Sequence, residues 1–193
     1  MLLSMGRSYE QIDDHLIEWI GRQHVFFVAT APLATDGHVN VSPKGLETFA
    51  VLGPTRVAYL DLTGSGIETI AHVRENGRIT IMFCAFEGPP RIVRLYGRGR
   101  VHGQATSEFD GLAAHFSAHV GSRSVITVDV DRIGDSCGYA VPILSFESDR
   151  DRLDTWAEHK GQEGIAAYWR DNNTTSIDGL PGLTDQPARR GSS

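Results

Sequence analysis

The apolar pattern near the N-terminus of the 193-residue chain has the period of a helix. The apolar positions of that pattern are Ile12, Leu16, Trp19 and Ile20. They recur at the spacing of one helix face, and Gly21 follows them. The preceding Ser-x-x-Gln at residues 8–11 has the form of a capping box, in which two side chains satisfy free backbone donors. We predict an amphipathic helix that is capped by Ser8 and ends at Gly21.

Beyond residue 24 the pattern changes to short β-branched or aromatic stretches separated by Gly, Pro, Asp or Asn. These stretches predict six strands, at residues 25–30, 39–42, 57–62, 79–83, 92–101 and 125–133. Two helices interrupt them, one over 67–75 that ends at Asn76-Gly77 and one capped by Ser107, and the chain turns helical again after Pro142. Because strands and helices do not alternate, we predict an α+β chain around an antiparallel, six-stranded β-barrel.

Composition narrows the class of protein. With 40% hydrophobic and 22% charged residues, the chain is typical of a globular protein with one main domain. The net charge is 18 − 24 = −6, which argues against nucleic acid as the main partner. No apolar run reaches the length of about 18 residues that a membrane span needs. Residues 1–5 lack the features of a signal peptide, and two cysteines suit a reducing compartment, so we predict a cytoplasmic protein.

The segment 61–69, Asp-Leu-Thr-Gly-Ser-Gly-Ile-Glu-Thr, places a Gly/Ser loop between a strand and a helix. Such a loop offers close backbone approach, hydroxyl donors and the free N–H groups of a helix N-terminus, which suits an anion such as phosphate. It is neither a Walker A loop nor a Gly-x-Gly-x-x-Gly fingerprint, because position 69 is Thr. An ordinary tight loop remains the alternative.

Several further residues have an ordinary interpretation beside a functional one. Lys44 follows a strand and could neutralise a phosphate, or it could be a solvated turn lysine. His115 and His119 have a zinc-ligand spacing on a helix, but the Glu of the metalloprotease motif is absent, so we predict no metal. Cys137 has no cysteine partner nearby, which indicates a buried thiol. Arg94, Arg98 and Arg100 share one strand face with Tyr96, which is either solvated or near an anionic ligand or subunit interface.

Taken together, these pieces resemble the pyridoxamine 5′-phosphate oxidase-like family, the flavin-binding split barrels. The likeness covers residues 8–146 and rests on the order of elements. These are the first strand with Val-Phe-Phe-Val-Ala-Thr, the second with Asn-Val-Ser-Pro-Lys-Gly, the Gly/Ser loop and helix, and the strand with Arg-Leu-Tyr-Gly-Arg-Gly-Arg-Val. The end of the chain resembles the helical C-terminal extension of one branch of the family. We therefore divide the chain into an FMN-binding split-barrel domain (1–146), a helical extension packed on the barrel (147–183) and a disordered tail (184–193).

The resemblance implies a homodimer with two FMN sites at the subunit interface. Carried over by position, the residues near the cofactor would be Ser42, Pro43, Lys44, Asp61, Thr63, Ser65, Thr69, Arg94, Cys137 and Tyr139, the last two reaching the flavin from the partner subunit. Two features depart from the family pattern. A basic pair is missing near Glu68-Thr69, so phosphate neutralisation would fall on Lys44, backbone donors or Arg94. The stretch 136–139 lacks the expected arginine, so we predict that pyridoxamine phosphate is not the substrate.

The leading hypothesis is an FMN-dependent oxidoreductase that acts on an unidentified small molecule through the chemistry of its cofactor, with no catalytic residue named. A second hypothesis is an F420-dependent reductase, whose acidic cofactor tail would lie in a groove formed by Arg91, Arg94, Arg98 and Arg100. A non-catalytic flavin- or haem-binding split barrel is a third hypothesis, and a structural dimer with a vestigial site is a fourth.

Overall fold

A computed structural model of the protein describes residues 7–183, and this range forms one antiparallel sheet of eight strands. The strands are β1 (Arg7–Tyr9), β2 (Phe26–Thr30), β3 (Asn40–Lys44), β4 (Phe49–Gly53), β5 (Arg56–Leu62), β6 (Arg78–Cys84), β7 (Ile92–Gly103) and β8 (Ser122–Ser136). They are ordered β3-β2-β6-β7-β8-β5-β4, and β1 pairs with β8 beside this path. The six strands expected from the sequence are present, while β1 and β4 are additions, so the expected count of six is corrected to eight.

The same range contains four helices: α1 (Asp14–Gly21), α2 (Glu68–Asn76), α3 (Phe109–Ala113) and α4 (Arg152–Asn172). Helix α2 ends at Gly77, whose positive φ of 71° provides the C-cap that the Asn76-Gly77 pair predicted. Helix α4 is bent at Gly161, where the backbone leaves the helical region with φ 62°. None of the helices within residues 7–183 is long and apolar enough to cross a membrane.

Two predicted helix caps were wrong. The cap of α1 is Asp13, whose Oδ1 accepts a hydrogen bond of 2.8 Å from the Leu16 N–H. Ser8 lies in β1 and pairs with β8, so the sheet, and not the helix, determines its conformation. The cap of α3 is Glu108, and the Ser107 hydroxyl donates to the Glu108 carboxylate instead of to the helix.

The core lies inside the barrel, where alternate residues of the strands meet. An aromatic cluster forms its centre: the ring of Phe26 packs at 5.4 Å from Phe49 and at 5.8 Å from Tyr59 and Phe83. Burying a large apolar side chain contributes about 1.5–3 kcal/mol, so this cluster stabilises the barrel strongly. Helix α4 adds Trp169 to the same core. The expectations of no signal peptide at residues 1–5 and of a disordered tail at 184–193 lie outside the described residues.

Candidate functional site

Lys44 and Asp61 meet at a buried ion cluster. Lys44 Nζ donates to Asp61 Oδ1 at 3.1 Å, and Arg123 Nε donates to Asp61 Oδ2 at 2.8 Å. Asp61 is 1% exposed and Arg123 is 5% exposed. Burial alone would raise the pKa of the Asp61 carboxyl, but the charges and hydrogen bonds of Arg123 and Lys44 outweigh it and hold the pKa below its usual 3.8. The ammonium of Lys44 is therefore already paired with a carboxylate.

The carbonyl groups of the Gly/Ser loop, residues 63–67, accept hydrogen bonds from two side chains that hold the loop in place. Asn173 Nδ2 donates to the carbonyls of Gly64 (3.0 Å) and Ser65 (3.4 Å). Arg123 Nη1 donates to the Gly66 carbonyl and to Asn173 Oδ1, both at 3.0 Å. In a trans peptide the N–H points away from the preceding C=O. The N–H groups of residues 65–67 therefore point away from Arg123 and Asn173, and the side of the loop opposite these two residues is called here its open side.

The hydroxyl of Thr63 is buried and makes two hydrogen bonds within the protein. Its Oγ1 donates to the Gly121 carbonyl at 2.7 Å and accepts from Trp169 Nε1 at 2.9 Å. The residue is 4% exposed. Thr63 therefore anchors helix α4 to the barrel, a role that the sequence did not indicate.

A chain of polar side chains connects β2, β3 and α2 beside the loop. Asn40 Nδ2 donates to Thr69 Oγ1 at 2.9 Å, and Ser42 Oγ donates to Asn40 Oδ1 at 3.3 Å. Thr30 Oγ1 lies 3.0 Å from Nδ1 of the buried His72, whose pKa is lowered by its burial. Ser42 and Thr69, both predicted near the cofactor, thus belong to one network through Asn40.

The open side of the loop faces a pocket of about 460 Å³, called here the small pocket. Its lining residues are His38, Val39, Asn40, Val41, Ser65, Gly66, Glu68 and Ile177. The charged groups among them are the Glu68 carboxylate and His38, whose Nδ1 lies 2.7 Å from Asp178 Oδ1. That carboxylate raises the pKa of His38 through a hydrogen bond and its charge.

The small pocket does not fit the phosphate of FMN. Backbone N–H groups suited to an anion are present, but a phosphate dianion would also face the carboxylate of Glu68. The two cations of the ion cluster, Lys44 and Arg123, are bound to Asp61, and neither of them lines the small pocket. Within residues 7–183, the hydrogen-bond donors of the expected phosphate site are thus present, but the one lining cation is His38, which is already paired with Asp178.

The two histidines with zinc-ligand spacing do not share a helix face. Helix α3 ends at Ala113, so His115 and His119 both lie beyond it, and the expectation that a helix carries them was wrong. His119 Nδ1 lies 2.8 Å from Asp154 Oδ1 at the start of α4. This contact gives His119 a role in attaching α4 to the barrel.

Two more of the predicted residues lie on the outer face of the sheet. Strand pairing places Pro43, Phe27, Met82 and Arg94 in one row across β3, β2, β6 and β7. Because side chains alternate along a strand, Pro43 faces away from its neighbours Ser42 and Lys44. The Arg94 guanidinium donates from Nη1 to the Ser136 hydroxyl at 3.1 Å.

A cleft of about 1200 Å³ borders this outer face, called here the large cleft. Its walls are mostly apolar, and Cys137 and Tyr139 are among them. Cys137 is partly exposed, so the expectation of a buried thiol was wrong. The ring of His24 stacks on Phe146 with centroids 3.7 Å apart, which fixes the segment after Tyr139 over the cleft. The aromatic and aliphatic side chains of the walls include Trp19, Phe27, Phe86, Leu144 and Phe146.

The ten predicted residues therefore form two sets within one chain. The inner set is Ser42, Lys44, Asp61, Thr63, Ser65 and Thr69, around the loop and the ion cluster. The outer set is Pro43, Arg94, Cys137 and Tyr139, around the outer face and the large cleft.

Sequence reasoning missed three residues central to the inner set: Arg123, Asn173 and Trp169. Their partners lie between 50 and 109 positions away along the chain, so no local motif marks them. For Arg123 the sequence does offer one signal: it is a lone charge at the start of the apolar strand β8.

Comparisons with known proteins agree with this fold. The family model for pyridoxamine 5′-phosphate oxidase matches residues 12–137. The chain is also 43% identical over 192 residues to the pyridoxamine 5′-phosphate oxidase family protein ustO of Aspergillus flavus, covering 91% of this chain and 77% of that protein. The chain therefore belongs to the pyridoxamine 5′-phosphate oxidase family, and the resemblance stated from the sequence is confirmed.

Two solved structures share the fold at low sequence identity. A HupZ variant from Group A Streptococcus is 20% identical with a TM-score of 0.50, covering 64% of this chain and 98% of that one. A Lactobacillus delbrueckii protein assigned provisionally to pyridoxamine 5′-phosphate oxidase is 15% identical with a TM-score of 0.51, covering 67% and 98%. At these identities the likeness establishes the α+β split-barrel fold alone, and the C-terminal helix α4 is seen in the structure of this chain.

Proposed function

We propose that this protein is a homodimeric flavin-dependent oxidoreductase that acts on a small organic molecule at a site completed by two chains. The observation that supports this proposal best is the separation of the inner and outer sets within one chain. Residues of the inner set can hold one part of a ligand, while Cys137 and Tyr139 lie beyond the outer face. A second chain with the same residues would supply the missing half.

The edge strand β3 favours such pairing. Its outward side is apolar, with Val39 71% exposed and Val41 58% exposed, and Pro43 follows on the same side. An exposed apolar edge strand is a surface that proteins normally cover. A second copy would cover it and place its outer face against β3.

The large cleft would take the substrate. Its apolar and aromatic walls suit a ring-bearing organic molecule. Two arginines line the cleft. Arg91 is bound by Asp135 at 2.8 Å and lies 4.8 Å from the ring centre of Trp19, and Arg22 Nη1 lies 2.7 Å from Glu18 Oε1. Because both guanidinium groups are already paired with carboxylates, the described walls have little to neutralise a phosphate ester, which supports a substrate other than pyridoxamine phosphate.

The roles of the chain's own residues are to bind and to position. A bound flavin would supply the electron-transfer chemistry, and the protein would orient it and keep water out. Lys44 and Ser42 on β3 would fix the position of the ring, and Tyr139 would cover it from the partner. Both cysteines are free, which suits the reducing cytoplasm that we propose as its location.

The F420 hypothesis depended on four arginines in one groove. Three of them already have partners: Arg91 pairs with Asp135, Arg94 Nη1 donates to the Ser136 hydroxyl, and Arg98 Nη1 donates to the Asn76 carbonyl at 3.0 Å. A continuous basic groove is therefore less well supported than a flavin site. If F420 is nevertheless the cofactor, Arg94→Ala and Arg98→Ala will weaken F420 binding far more than flavin binding.

The test combines cofactor uptake with the mass of the assembly. Riboflavin and FMN are added to the purified protein, uptake is read from the visible spectrum, and mass from light scattering. We expect a dimer that takes up flavin. Because Val41 also lines the small pocket, the mass of the Val41→Asp variant is the readout of pairing: we expect a monomer, with at least about tenfold weaker uptake. Val120→Asp, at a 48% exposed valine outside β3, is the matched control and should leave both unchanged.

Two results would refute the proposal. One is a wild-type protein that takes up neither flavin. The other is a Val41→Asp monomer that binds flavin as tightly as the wild type, because the site would then lie within a single chain.

A further inference from the structure

The Glu68 side chain lies across the open side of the loop 63–67. Its Oε1 accepts from the Ile177 N–H at 3.3 Å, which ties α2 to the C-terminal segment. Its Oε2 lies so close to Gly66 that a Cβ on that glycine would collide with it. The carboxylate is therefore held against the backbone whose N–H groups face the small pocket.

The remaining charges around the small pocket do not offset Glu68. His38 is bound to Asp178, which is the next residue after Ile177. Arg74 Nη1 donates to the carbonyl of Gly182, and Arg74 is not among the residues of 7–183 that line the small pocket. Among the residues of 7–183 that line the small pocket, His38 is the one that can carry positive charge, and its partner is a carboxylate.

We propose that Glu68 is a specificity-determining residue that makes this site select a flavin without a phosphate, one that ends in an uncharged polyhydroxy chain. Hydroxyl groups can donate to the Glu68 carboxylate and accept from the loop N–H groups at the same time. A phosphate has only acceptors when fully ionised, and it would be repelled by the carboxylate. The inference rests on the proposed flavin function and names the class of flavin.

The C-terminal segment holds this arrangement in place. Gly182 packs so closely that a Cβ there would collide with the Asn173 carbonyl and lie 2.7 Å from Ile67 Cγ1. The Leu183 N–H donates to the Asn173 carbonyl at 2.8 Å, and Leu183 is buried in the core. Ile177 is therefore fixed relative to α2, and the Glu68 carboxylate has a defined partner.

The test is a parallel fluorescence titration with riboflavin and with FMN on the full chain. We expect the wild type to bind riboflavin at least as tightly as FMN. Glu68→Gln should raise the affinity for FMN at least about tenfold, which is about 1.4 kcal/mol, and change that for riboflavin by less than about threefold. Glu163→Gln, an exposed carboxylate on α4, is the matched control and should change neither.

A second readout needs no variant. If the Glu68 carboxylate repels phosphate, added salt screens the repulsion, and FMN affinity of the wild type will rise with salt while riboflavin affinity stays constant. A wild type that prefers FMN about tenfold or more, or whose FMN affinity falls with salt, overturns the role of Glu68 and leaves the proposed flavin function standing. Binding of neither flavin overturns both proposals.

Discussion

Asn173 is the residue whose removal tests the construction of the loop most sharply. It is fully buried, accepts from Arg123 Nη1 at 3.0 Å and donates to the carbonyls of Gly64 and Ser65. A hydrogen bond to a charged group contributes about 1.5–3 kcal/mol and a neutral one about 0.5–1.5 kcal/mol. Because the 3.4 Å bond to Ser65 is weak, we expect Asn173→Ala to lower the free energy of unfolding by about 2–4 kcal/mol.

The assay is thermal and urea unfolding of Asn173→Ala beside Asn172→Ala. At about 3 °C per kcal/mol for a chain of this size, the melting temperature of Asn173→Ala should fall by about 6–12 °C. Asn172 is exposed, and its side chain donates to the Tyr168 carbonyl within the same helix, so its variant should stay within about 0.5 kcal/mol of the wild type. Equal melting temperatures for the two variants would refute the view that Asn173 supports the loop.

Two further predictions concern charge. Asp61→Asn leaves the buried Arg123 and the partly buried Lys44 without their carboxylate, so we expect a loss of about 3–5 kcal/mol in the free energy of unfolding in urea. A loss under about 1 kcal/mol would contradict the buried ion cluster. His38 and Asp178 predict a pH dependence. Asp178 raises the pKa of His38. The contribution of His38 to stability is therefore complete below about pH 6.5 and is lost as the pH rises through the raised pKa. Hydrogen bonds from His38 lower the pKa of Asp178. The contribution of Asp178 to stability is therefore complete above about pH 3.8 and is lost as the pH falls through the lowered pKa. Amide exchange of residues 173–183 should therefore show more protection, relative to intrinsic exchange rates, at about pH 6 than at about pH 8, and His38→Gln should abolish that difference.

The elements that the sequence could predict are those whose signal is local. The alternation of apolar residues marked the strands that line the core, and Asn76-Gly77 marked the end of α2. Strand β4 was missed because the turn before it uses Leu46 and Glu47 at positive φ, 60° and 53°. Neither residue type signals a turn of that kind, since glycine, asparagine and aspartate are the usual ones.

The site was predictable only in part, for a related reason. Lys44 and the Gly/Ser loop stand out because Lys44 ends a strand and the loop follows one, and the family resemblance assigned them a role. The pairing of Lys44 with Asp61 depends on how β3 and β5 are brought together in the fold. The support of the loop by Asn173 depends on a segment more than 100 residues away, whose sequence shows no motif.

The most direct measurement of the central claim is a crystal structure of the protein with riboflavin bound. We predict a dimer in which the flavin ring lies between β3 of one protomer and Cys137 of the partner subunit, with the polyhydroxy chain directed at Glu68. A flavin held wholly by the large cleft of one chain, or by a monomer, would contradict the account.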